Sequence, residues 1–199
     1  MAFYNSTSDP NDFAISFTQD PMGDFGYFAQ GYAKAATTLT DSLLSRKFRD
    51  SEAYPVIFLY RHAFELSLKH IIYRSVIFAH LTFRDANEDI LRFKHDLSIL
   101  ASVASKLLTR LFSEDDGVVQ ATTRFRVTAK EFSEIDKGSH SFRYPVDTKG
   151  QPSTPRHINL ESFGTHMQIQ LEELDAIHSY LDIESYYCRR STSLLTGRI

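Results

Sequence analysis

Three ionisable side chains are spaced at successive helical turns inside a long apolar stretch. Arg61, Glu65 and Lys69 lie at i, i+4 and i+8 in residues 54–80, YPVIFLYRHAFELSLKHIIYRSVIFAH. This spacing places side chains on one face of an α-helix, where a carboxylate can bridge two cations. An ion pair of this kind can be a purely structural ladder, or it can prepare charged groups for chemistry.

Two histidines of the same stretch fall within the wedge of the helix that carries these charges. His62 and His80 lie with them in a sector of about 120° when the stretch is drawn as a helix. Arginine can clamp a phosphate through two hydrogen bonds, and histidine can act as an acid or a base near neutral pH. The candidate catalytic residues are therefore Arg61, His62, Glu65, Lys69 and His80.

A second group of polar side chains lies further along the chain. His95 and Asp96 are adjacent, and residues 139–147 carry one histidine, one arginine and one aspartate. If the fold brings these groups together with the charged stripe on the helix (Arg61, Glu65 and Lys69), they would suit a phosphate-containing ligand. The candidate substrate-binding residues are His95, Asp96, His140, Arg143 and Asp147. Alternatively, Arg143 pairs with Glu65 or Asp96 and simply anchors its loop on the fold.

The helix that carries the stripe is expected to be central. Pro55 suits a first helical turn, and no further proline or glycine follows until Gly117. Apolar side chains occupy nearly the whole circumference of a helix drawn from Pro55 to His80, which is typical of a buried one.

Helical periodicity elsewhere predicts an all-α, up-and-down bundle of about five helices in a single domain, residues 1–199. The other four helices are predicted at 24–48, 87–112, 118–135 and 159–186, with 49–53 as a short polar connection. The third could instead begin after Asp96, acting as its cap. Outside the helices, the sequence predicts an N-terminal arm (1–21), an ordered irregular loop near 138–157 and a polar C-terminal tail (187–199).

Composition narrows the classes of function. The 199 residues carry a net charge of −3, so a nucleic-acid site would have to be local. The single cysteine, Cys188, excludes an intramolecular disulfide, and the N-terminus lacks a signal-peptide pattern, so we expect a cytoplasmic protein without a membrane segment. No phosphate-binding loop, HExxH, GxSxG or EF-hand motif occurs, and no metal or cofactor is expected.

Three short sequence segments resemble a pattern in uncharacterised prokaryotic helical proteins of the HEPN class. They are YPVIFLYRHAFELSLK from Tyr54, HDL from His95 and FRYPVDTKG from Phe142, so the resemblance covers mainly residues 54–150. It implies a helical bundle that is commonly dimeric. It also implies metal-independent cleavage of RNA in a toxin or anti-phage defence system, by an arginine and a histidine four to six residues apart.

Arg74 and His80 have the spacing of that arginine and histidine. On a straight helix they lie roughly 120° apart, and Ser75 stands where active members carry a different polar residue. We therefore consider two hypotheses for the function. One is a HEPN-like ribonuclease in which His62 or His80 assists the attack of a 2′-hydroxyl group on RNA. The other is a non-catalytic bundle that forms a homodimer or binds a protein partner, with its Arg and Glu residues holding the architecture.

Overall fold

The computed structural model describes residues 24–79, 95–136, 139, 142–144, 150–151 and 157–196, with side chains described as far as Ile183. These residues form an all-α bundle, which confirms the predicted fold class. Its five helices are α1 (Phe25–Leu44), α2 (Asp50–Phe78), α3 (Leu97–Leu111), α4 (Asp116–Ile135) and α5 (Leu160–Thr196).

The central helix of the bundle is α2, as its apolar circumference predicts. Every residue from Ala63 to Tyr73 is buried, and α2 packs against α1, α3 and α5. The core around it consists of aliphatic and aromatic side chains from all five helices, including Tyr60, Phe64, Leu68, Leu100, Leu108, Phe125, Met167 and Leu174. Polar groups in this span of α2 therefore sit inside the protein rather than at its surface.

Side-chain contacts fix the directions of the helices. Gly26 contacts His70 and Thr37 contacts Tyr60, so α1 runs antiparallel to α2. Ser98 at the start of α3 hydrogen-bonds to Ser133 near the end of α4, so these two helices are antiparallel. The contacts of Arg124 with Glu173 and of Thr128 with His166 show that α4 and α5 are antiparallel as well. The contacts of α2 with α3 near both of their ends make those two helices parallel.

The start of α2 lies one turn before the predicted one. The connection predicted at 49–53 is wrong, because Asp50 to Ala53 are helical and Pro55 is the sixth residue of the helix. Glu52 stabilises this earlier start, since its carboxylate accepts a hydrogen bond from the Arg49 N–H (2.7 Å) and its own N–H donates to the Arg49 carbonyl (2.9 Å). Acidic side chains in a first turn also complement the helix dipole.

The other boundaries differ more locally. α1 ends at Leu44 rather than Phe48. α3 begins at Leu97 with Asp96 as its N-cap, which confirms the alternative start. α5 continues to Thr196, so the tail predicted from residue 187 is helical for ten further residues. The N-terminal arm and most of the loop at 138–157 lie outside the described residues.

A pair of buried histidines joins α1 and α5 to the central helix. The Gly26 N–H donates to His70 Nδ1 (3.1 Å), and His178 Nε2 donates to the Ser67 carbonyl (3.0 Å). The two rings meet edge to face with centroids 4.5 Å apart. Burial lowers the pKa of His178, so the neutral ring is the form that the fold accommodates.

Two glycines of α1 should respond oppositely to alanine. A Cβ at Gly26 would lie 3.0–3.1 Å from three His70 ring atoms, whereas one at Gly31 would meet nothing within 4 Å. Gly26→Ala should therefore destabilise the protein by about 1–3 kcal/mol through overpacking. Gly31→Ala should stabilise it by about 0.5–1 kcal/mol, because alanine is the better helix former. Urea unfolding of both variants tests the close approach, and equal effects would contradict it.

Stability should fall on mild acidification because of His178. His178 binds a proton more readily in the unfolded chain than in the folded one. The stability that the neutral His178 ring contributes is therefore fully present above the ordinary histidine pKa, and it is lost as pH falls below about 6.5. His178→Gln keeps an N–H donor for the Ser67 carbonyl but cannot titrate. Its urea midpoint should drop less between about pH 7.5 and about pH 5.5 than that of the wild type or of a control at exposed His157. If the urea midpoint of His178→Gln drops as much as that of the wild type, His178 is not the cause of the pH dependence.

Candidate functional site

The bridged ladder expected from the spacing of three charged residues is present on α2. Glu65 Oε2 lies 3.2 Å from Arg61 Nη1, and Glu65 Oε1 lies 2.9 Å from Lys69 Nζ. All three side chains are buried, with Arg61 and Glu65 each only 1% exposed. Charged groups this deep need partners for nearly all their polar atoms, because an unpaired buried charge costs several kcal/mol.

Arg61 obtains the rest of its partners from two other helices. Its Nη2 donates to the carbonyl oxygens of His95 (2.8 Å) and Asp136 (3.3 Å). Its Nε lies 3.3 Å from Asp136 Oδ2, in a buried ion pair. Since His95 stands just before α3 and Asp136 closes α4, one guanidinium holds the beginning of one helix and the end of another against α2.

The buried charges balance one another. Arg61 and Lys69 supply two positive charges, and Glu65 and Asp136 supply two negative ones. Burial acts to raise the pKa of Glu65, but Lys69 and His95 outweigh it, and the resulting pKa lies below the ordinary glutamate value. Glu65 is therefore a carboxylate at neutral pH, held among donors.

His95 connects this buried set to the surface. Its Nδ1 lies 2.8 Å from Glu65 Oε1, while its side chain is 53% exposed. Because a carboxylate can only accept, Nδ1 carries the proton in the neutral ring, and Nε2 is left with the lone pair. Within the described chain Nε2 has no hydrogen-bond partner. The result is an imidazole oriented by a buried carboxylate, as in the histidine–carboxylate pairs of many hydrolases.

A surface with one arginine and several aromatic rings lies around Phe58 and His62, next to Arg61 on α2. The His62 ring stacks on Phe58 with centroids 5.7 Å apart and an interplanar angle of 7°. The guanidinium of Arg143 lies 5.7 Å from the ring centroids of both Phe58 and Tyr144. Arg143 and Tyr144 are exposed. Burial is the main cause that lowers the pKa of His62, so this ring is neutral and serves as an aromatic face.

The structure brings together some of the sequence-predicted site residues and not others. Arg61, Glu65, Lys69 and His95 form one connected network, with His62 and Arg143 next to it. Asp96 instead caps α3, accepting from the Ser98 and Ile99 N–H groups (3.0 and 3.3 Å). His80, His140 and Asp147 lie outside the described residues.

One expectation about an arginine needs correction. Arg143 was expected to pair with Glu65 or Asp96, but its Nε donates to the Ser139 carbonyl (2.5 Å), because Glu65 is enclosed by nearer donors. Arg74, which has the HEPN-like spacing to His80, forms an ion pair with Asp182 of α5 (3.1 Å). Sequence reasoning also missed Asp136 as a member of the network. The available signal was a carboxylate at the end of a predicted helix, two residues before Gly138.

The chain matches no protein-family model, curated protein or solved structure. In the described ranges no helix has both the length and the apolar character that a membrane crossing requires. The same residues contain no cluster of three or more His, Cys, Asp or Glu side chains arranged to hold a metal ion.

The buried and exposed ion pairs should differ sharply in their contribution to stability. Arg61→Ala should cost about 3–5 kcal/mol, because it leaves Glu65 and Asp136 with uncompensated buried charge. Arg124 of α4 pairs with Glu173 at the surface (2.8 Å), and Arg124→Ala should cost less than about 1 kcal/mol. Urea denaturation of both variants measures the difference. A comparable cost for the two would show that the Arg61 network does not hold the bundle.

Proposed function

We propose that the chain is a metal-independent ribonuclease in which His95 acts as the general base. The observation that supports this most directly is the pairing of an exposed imidazole with a buried carboxylate, Nδ1 to Glu65 Oε1 at 2.8 Å. That pairing fixes the tautomer and ring orientation and would stabilise the imidazolium that forms during proton transfer. These are the properties that a general base requires.

The neighbouring side chains suit an RNA strand. The exposed guanidinium of Arg143 is placed to contact a phosphate, and the exposed ring of Tyr144 offers a face on which a base can stack. Phe58 and His62 extend the aromatic surface towards α1. The positive charge of Arg143 supplies locally an attraction to phosphate that the net charge of −3 does not.

In the proposed reaction, His95 Nε2 accepts the proton of a ribose 2′-hydroxyl group. The 2′-oxygen then attacks the adjacent phosphorus, and Arg143 stabilises the charge on the phosphate oxygens. The bond from phosphorus to the 5′-oxygen breaks, and the leaving oxygen takes a proton from water. The products are a 2′,3′-cyclic phosphate and a 5′-hydroxyl end, with no metal required.

The resemblance to the HEPN class supports the same chemistry and adds a biological setting. On that basis we place the activity in a toxin or anti-phage defence system and expect the active form to be a homodimer. Within the proposal His95 takes the role of base that the sequence suggested for His62, because the Glu65 carboxylate orients the His95 ring, whereas burial lowers the pKa of His62. His80 lies outside the described residues. Arg61 and Lys69 become residues that hold Glu65 in position.

A second function is favoured by the charge balance of the buried set. Since Arg61, Lys69, Glu65 and Asp136 neutralise one another, the network is fully explained as an architectural anchor. In that case the chain is a non-catalytic bundle whose exposed surface dimerises or binds a protein partner. The two functions predict opposite outcomes for RNA cleavage.

Cleavage of single-stranded RNA by the purified chain, with a chelator present, separates the two functions. The wild type should cleave, and His95→Ala should lower the rate by about 10²–10⁴-fold, the usual contribution of a general base. Because His95 is half exposed and Glu65 Oε1 keeps Lys69 as a partner, the melting temperature of this variant should fall much less than that of Arg61→Ala. Arg143→Ala should weaken binding, and His157→Ala, at an exposed position after the loop, should leave the activity unchanged.

The chemistry of the substrate gives an independent control. Replacing the ribose at the cleaved position by 2′-deoxyribose should abolish cleavage, since the attacking group is removed. A wild type that does not cleave RNA, or a His95→Ala variant that cleaves like the wild type, would refute the ribonuclease assignment. The first of these results would leave the interaction bundle as the function.

A further inference from the structure

A groove lies on the side of α2 away from Glu65. Ser67 follows Glu65 by two residues and is therefore rotated from it by about 200° around the helix. It forms the floor of a cavity of about 240 Å³ between α1 and α5. Alanines at 29 and 33 of α1 and Leu171 of α5 give this cavity apolar walls.

Opposite charges face each other across this groove. Contacts of Gln30 with Asp175 (2.9 Å) and of Thr37 with Gln168 (3.4 Å) set the antiparallel register of α1 and α5. Lys34 and Glu172 lie between these two contacts, one on each wall. Neither forms an ion pair with another described residue, and Asp175 adds a second carboxylate on the α5 side.

The floor of the groove carries a polar side chain. Ser67 lines the groove, and its carbonyl accepts from His178 Nε2 (3.0 Å). A hydroxyl group can both donate and accept a hydrogen bond, so a ligand seated on this floor has a polar partner there.

We propose that this groove binds a small zwitterion, an α-amino acid. Lys34 would take the carboxylate, Glu172 and Asp175 would take the ammonium group, and the Ser67 hydroxyl would supply a further hydrogen bond. The apolar walls would cover the aliphatic part of the ligand. The cavity is smaller than those that hold drug-sized molecules, which fits a ligand of this size.

This site does not depend on the proposed ribonuclease activity. It lies on a different face of α2, and none of its residues belongs to the network around Glu65. Either proposal can therefore fail while the other stands.

Isothermal titration calorimetry of the full chain with each of the standard L-amino acids tests the proposal. At least one should give saturable binding and raise the melting temperature, whereas acetate and methylamine, which each carry one charge, should bind much more weakly. Lys34→Ala and Glu172→Gln should each raise the Kd by roughly tenfold or more. Ser67→Ala should raise it several-fold without lowering the melting temperature.

Exposed residues elsewhere give matched controls. Lys106→Ala on α3 and Glu161→Gln at the start of α5 remove the same charges outside the groove and should leave the Kd unchanged. The absence of saturable binding by any amino acid would overturn the proposal. So would binding that survives both Lys34→Ala and Glu172→Gln, or binding of acetate as tight as that of the amino acid.

Discussion

The structure depends on the burial of one carboxylate. Glu65 sits in the middle of a helix whose surroundings are otherwise apolar, and its charge is tolerated only because Arg61, Lys69 and His95 reach it. Arg61 in turn requires the carbonyl groups of His95 and Asp136 and the carboxylate of Asp136. A charge in such a place therefore fixes the position of chain segments that are far apart in sequence, because each must supply its partner atoms.

The same carboxylate links architecture to chemistry. Of the three residues that surround Glu65 and Arg61, Lys69 and Asp136 are buried, whereas His95 is half exposed and so carries the influence of Glu65 to the surface. A stable orientation of this ring follows from the fold and needs no ligand to create it. A substitution of His95, at the edge of the network, can test the proposed chemistry apart from the stability of the fold. A substitution of Arg61 or Glu65, at its centre, would change both.

The sequence predicted the local part of this arrangement and not the part that joins distant segments. The spacing of Arg61, Glu65 and Lys69 was sufficient to predict the ladder, because helical geometry alone determines it. The N-cap at Asp96 was predictable as an alternative for the same reason. The partnership of Arg61 with Asp136 was not, since 75 residues separate them and an apolar circumference does not say which helix covers which face. Similarly, the difference in exposure between Arg61 and the adjacent His62 depends on how α1, α3 and the loop cover α2.

The two sides of α2 illustrate how a central helix can serve separate sites. At Glu65 the surrounding chain supplies a partner to each carboxylate oxygen, so the polar group is explained without any ligand. At Ser67, two residues away on the opposite side, the carbonyl accepts from His178, and the residue lines a groove rather than packed side chains. Polar groups that the protein encloses on every side serve the fold, whereas polar groups that line a groove can be reached by a ligand. That difference in access is the physical reason for assigning architecture to the first side, with chemistry only at its exposed margin, and ligand binding to the second.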